Sequence, residues 1–165
     1  MNTRRIVTLA MLTGIALIIF ILELRIPNPV PVPGVKLGLA NIITVYAVFR
    51  FTPKETALIV TARLLLGSFF SGNPSALLYS AAGAFCCLTG MIALRGILNG
   101  NCIWLCSVIG AMLHNLGQIA AACAVMRSCA VLAYLPLLLA AGAVAGLFTG
   151  ITAQLILSRR PPDAR

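Results

Sequence analysis

The run Ile103–Met126 reads IWLCSVIGAMLHNLGQIAAACAVM. Coiled as an α-helix at 1.5 Å per residue it would be about 36 Å long, enough to cross a hydrocarbon core of roughly 30 Å. It carries no charge, yet its middle holds His114, Asn115 and Gln118, and His114 is the only histidine of the chain. Polar side chains at the centre of a span cost free energy unless they are paired or line a cavity, so this cluster is a candidate functional site.

The rest of the chain repeats the pattern. Of its 165 residues, 61% are hydrophobic and 9% charged, and the mean hydropathy is +1.05. Soluble domains hold far more charge, so the expected class is an all-α integral membrane protein. Apolar stretches separate at Pro, Gly, Asn and charge clusters, giving about six spans near 5–26, 37–51, 55–71, 75–97, 103–126 and 132–157 in one transmembrane domain, 1–165. The first follows Arg4 and Arg5, but its exit at Glu23-Leu24-Arg25-Ile26-Pro27 lacks the small residues of a cleavage site, so it is read as a retained span.

Charge assigns the orientation. Arg4, Arg5, Arg50, Lys54, Arg95, Arg159, Arg160 and Arg165 fall on the side of both termini, whereas Arg25, Lys36 and Arg127 fall opposite. Eight against three places both termini of a multi-pass membrane protein in the cytoplasm. The net charge of +9 is spread between apolar segments with no single basic stripe, so nucleic acid is not an expected partner. Cys86, Cys87, Cys102, Cys106, Cys123 and Cys129 contain no CxxC pair and read as small apolar fillers.

Between the first two spans, residues 26–38 place Pro27, Pro29, Pro31 and Pro33 at every second position. This excludes helix and favours an extended strap, either a roof over an outer cavity or a rigid connector. Lys36 follows at the outer mouth, where it could meet an anionic ligand or a lipid phosphate. Arg63, inside the third span, cannot lose its charge and needs a carboxylate such as Glu23, a ligand, or a route to the interface.

His114 and Gln118 share a helix face and Asn115 is turned by about 100°, so the patch could line a ligand pocket or tie spans together through Asn41 or Tyr79. One histidine with no acid beside it makes a poor metal site, and no cofactor is expected. Gly142, Gly146 and Gly150 recur every four residues in the last span, as do Ala10 and Gly14 in the first. Such stripes let helices approach closely, inside the bundle for the last span and either there or on a partner helix for the first. No GxxxxGK[ST] motif is present, and Glu23, Glu55 and Asp163 stand apart in sequence. The chain alone therefore lacks a P-loop for ATP and the clustered carboxylates that diphosphate chemistry with magnesium requires.

PGVKLGLANIITVYA (Pro33–Ala47), RLLLGS (Arg63–Ser68), GAMLHNLGQ (Gly110–Gln118) and YLP (Tyr134–Pro136) resemble, in order, the bacterial Gx transporter family, also labelled heptaprenyl diphosphate synthase component I. That family is in turn similar to the S components of energy-coupling-factor transporters. The resemblance implies a six-helix bundle that captures a small, anionic or polar metabolite on the outer side and borrows energy from a separate ATPase module. It further implies Lys36, Asn41, Arg63, His114, Asn115 and Gln118 near the pocket and Ala10 and Gly14 on a docking face; Tyr79 is a further ligand-binding candidate from the polar patch itself. The alternative label implies a non-catalytic membrane subunit of a soluble polyprenyl diphosphate synthase serving isoprenoid quinone synthesis.

Overall fold

The computed structural model describes residues 3–23, 25, 38–72, 74–98 and 102–159. They form α1 (Thr3–Glu23), α2 (Asn41–Arg50), α3 (Pro53–Ser71), α4 (Pro74–Arg95), α5 (Ile103–Met126), a 3-10 turn (Cys129–Tyr134) and α6 (Leu135–Ser158). The fold is all-α, with one helix for each apolar stretch. The proline strap lies outside the described residues except for Gly38.

Four segments are long and apolar enough to cross a bilayer: Thr3–Glu23, Leu77–Arg95, Ile103–Met126 and Cys129–Ser158. The second apolar stretch is not a full crossing. Gly38 has φ +77°, the chain turns at Leu39 and Ala40, and α2 starts only at Asn41. Its 10 residues cover about 15 Å, half the hydrocarbon core. Large apolar side chains such as Phe69, Phe85, Ile97 and Val144 point outward and are exposed. So extensive an apolar exterior is the signature of a protein whose solvent is lipid. The chain is a membrane protein.

Local chemistry sets the helix ends. Thr52 and Glu55 form a reciprocal capping box at the start of α3, with Pro53 in the first turn and Gly72 at φ 63° past its end. Glu55 also takes a two-pronged pair from Arg5, at 2.5 Å from Nε and 2.9 Å from Nη2. Arg95 donates to the Val48 and Phe51 carbonyls. These contacts fasten the starts of α1 and α3 and the ends of α2 and α4 at one end of the bundle.

α5 is the central helix, packed between α4 and α6, while α1 lies mainly on α3. Without a hydrophobic drive between helices in lipid, close backbone approach has to supply the packing. Gly146 and Gly150 provide it: a methyl group at these positions would sit 2.8 Å from the Val108 Cα and 2.6 Å from the Trp104 Cα of α5. Gly142 abuts Asn115 on the same helix. By contrast, a methyl at Gly14 would meet nothing within 4 Å, and Ala10 is exposed.

Candidate functional site

The late start of α2 shapes the site. Gly38, free to adopt a positive φ, turns its N–H to the Glu23 carboxylate and its carbonyl to the Asn41 N–H at 2.9 Å. One turn thus brings the end of α1 and the first residue of α2 together. From α3, Arg63 reaches Asn41, and both its Nη1 and Nη2 donate to Asn41 Oδ1 at 3.3 Å.

These groups line a cavity of about 40 Å³, together with Phe20 of α1, Leu64, Ser68 and Ser71 of α3, Leu77 and Ser80 of α4, and His114 and Gln118 of α5. A single water needs about 10–15 Å³ on this measure, so the space holds a few waters or one small polar group. Its walls are the end of α1, the start of α2, the second half of α3, the start of α4 and the middle of α5. It therefore lies toward the end of the bundle opposite the Arg5–Glu55 pair.

Arg63 is only 6% exposed, and Glu23 5%. A guanidinium has five N–H donors, and the two hydrogen bonds of Arg63 among the described residues go to one oxygen. Glu23 bears on it through its charge. Burying a charge with donors to spare is costly, so the arrangement is suited to an incoming anion.

The His114 ring lies against Gly83 of α4, where a methyl group would come within 3.1 Å of its Cε1. Its Nδ1 is buried with no partner among the described residues. Close approach of α4 makes the contact, since a methyl at Gly83 would lie 2.7 Å from the His114 carbonyl oxygen. Ser68 and Ser71 donate to the Leu65 and Ser68 carbonyls at 2.8 and 3.0 Å. Their hydroxyl protons are thereby engaged, and what they offer the cavity is acceptor oxygen.

Of the residues singled out in the sequence, Asn41, Arg63, His114 and Gln118 meet at this cavity. Asn115 does not line it: its Nδ2 donates to the Leu138 carbonyl at 2.6 Å, tying α5 to α6. Tyr79 packs against Ile119, Ala122, Val131 and Leu138 rather than on the cavity wall. Lys36 lies outside the described residues. Ser68, Ser71, Ser80 and Gly38 were not among the sequence candidates. Leu64, Ser68 and Ser71 recur at i, i+4 and i+7, the one pattern that could have pointed to a polar wall on α3.

Gly38 and Asn41 also line a second, smaller cavity of about 10 Å³, with Val45, Cys87, Met91, Ser107, Gly146 and Thr149 among its other walls. There Ser107 and Thr149 share a hydrogen bond of 3.1 Å between α5 and α6. Among the described residues, no three His, Cys, Asp or Glu side chains are grouped to hold a metal ion.

A family model described as heptaprenyl diphosphate synthase component I matches residues 12–156. No curated protein and no solved structure matches the chain.

Proposed function

The chain belongs to the heptaprenyl diphosphate synthase component I family, and from that premise we propose that it is a membrane-embedded binding protein for a small, polar, anionic metabolite. The carrying observation is Arg63: a buried guanidinium on a polar cavity wall, with two of its five donors on one Asn41 oxygen. In lipid such a residue stays only where function or a partner holds it. The chain works with a partner that supplies energy, in the manner of an S component and its ATPase module. Both termini lie in the cytoplasm of a bacterial inner membrane, which puts the cavity on the outer half. The outward face of α1 with Ala10 and Gly14 is the proposed contact for the energising helix, and Lys36 the proposed charge at the mouth.

Purified protein screened against small anions for thermal stabilisation tests this reading. A ligand at 100 times its dissociation constant adds about 2.7 kcal/mol. The shift is expected to vanish in Arg63→Ala and to shrink in His114→Ala; full shifts in both for every hit would refute the pocket.

The family description favours a second reading, a non-catalytic membrane subunit that holds a soluble polyprenyl diphosphate synthase or its product. A diphosphate is itself an anion that Arg63 could meet. This reading expects co-purification with an aspartate-rich synthase and an altered product chain length when the chain is added.

A further inference from the structure

Asn41 Oδ1 takes one N–H from each terminal nitrogen of Arg63, so it closes the end of the guanidinium and leaves the Nε side for a ligand. The Arg63 Nε–H, the Asn41 Nδ2 amide and the Ser80 hydroxyl make no hydrogen bond among the described residues, yet none of them is sealed from solvent. All three are therefore open, on residues that line the larger cavity. They belong to α3, α2 and α4, so the open donors stand on three walls. The Nδ1 of His114 is sealed and takes no part. Gln118 has interactions of its own, so its amide is not a spare donor.

We propose that the group held beside Arg63 is a tetrahedral oxyanion, of the phosphate, phosphonate or sulfonate type, and not a planar carboxylate. A carboxylate has two oxygens with their lone pairs in one plane, and the Nε side of Arg63 alone can engage both. A tetrahedral head keeps a third oxygen out of that plane, for the donors of α2 and α4. The cavity also offers acceptors: the Glu23 carboxylate, and Ser68 and Ser71 with their protons on their own helix. Glu23 repels anions of one charge alike whatever their shape, and a serine hydroxyl can rotate to donate. Neither therefore sets the preferred shape. The proposal rests on the anion pocket described above and adds the shape of the bound head.

Calorimetric titration of the full chain in detergent with methanesulfonate and acetate, two methyl-bearing monoanions, isolates shape from charge. Methanesulfonate is expected to bind at least about tenfold tighter, although its oxygens are the weaker bases. In Ser80→Ala its affinity should fall about tenfold, and that of acetate less than about twofold. Arms with inorganic phosphate and with phosphatidate in mixed micelles identify the source of the head: tighter phosphate binding assigns a free solute, and tighter phosphatidate binding a lipid. Equal affinities for methanesulfonate and acetate, a preference for acetate, or methanesulfonate binding untouched by Ser80→Ala would overturn the proposal while leaving the anion pocket standing. Failure of every probe, or binding unchanged in Arg63→Gln, would overturn the pocket and the proposal with it.

Discussion

Both terminal nitrogens of Arg63 lie 3.3 Å from the same oxygen, Asn41 Oδ1, so the 10-residue α2 and the 19-residue α3 are joined at a single amide. Asn41 is the first residue of α2 and Arg63 sits midway along α3. The bond fixes where the short helix begins and where the buried charge points. Asn41 lines both the larger cavity and the smaller one.

Replacing Asn41 by Ala should therefore remove Arg63's hydrogen-bond acceptor and clear a side chain that lines both cavities. A loss of about 1–3 kcal/mol is expected from the guanidinium left without its acceptor. Asn41→Asp, which restores an acceptor and adds a countercharge, should recover stability yet lose affinity for anions. Thermal unfolding in detergent alongside anion titration reads both effects.

The two glycine stripes should respond differently. Gly146→Ala and Gly150→Ala force a methyl group against α5 backbone and should cost about 1–3 kcal/mol each. Gly14→Ala meets open space and should stay within about 0.5 kcal/mol for the isolated chain. A difference that appears at Gly14 only when a partner is present would locate the docking helix.

At the opposite end, Glu55 serves two structures at once, the α3 capping box and the pair with Arg5. Glu55→Ala loses both, about 1–2 kcal/mol. Arg5→Ala loses only an ion pair whose arginine is about half exposed, worth at most about 1 kcal/mol. Equal losses in the two variants, measured by thermal unfolding, would mean that the cap contributes nothing.

Topology can be read through the cysteines. Cys129 is exposed at the start of the 3-10 turn, and Cys102 lies just before α5 at the other end of the bundle. In single-cysteine variants, a membrane-impermeant thiol reagent should label Cys129 in intact cells and Cys102 only after permeabilisation. The reverse pattern would invert the orientation and put the cavity on the cytoplasmic half.

Much of this was legible in the chain, and the illegible part has identifiable causes. The run 103–126 announced a span because a helix of apolar residues has one use in lipid, and α5 has those bounds. The second stretch read as a span of 37–51 because hydropathy does not report dihedral angles; Gly38 at φ +77° shortens it. His114, Asn115 and Gln118 were indistinguishable as polar anomalies. Which way Asn115 faces depends on α6 coming close enough at Gly142 to offer the Leu138 carbonyl, a tertiary fact. Arg63 stood out as the one charge deep within a span, but its partner in a neighbouring short helix could not be read from spacing.

On the function proposed above, Arg63 takes the charge of a small anion in the cavity. Calorimetric affinities of the unaltered protein and of Arg63→Gln, for the anion that stabilises the protein most, test it directly. The expected result is a loss of at least about tenfold in Arg63→Gln, which still folds. Equal affinity in the two proteins would rule out that role for Arg63.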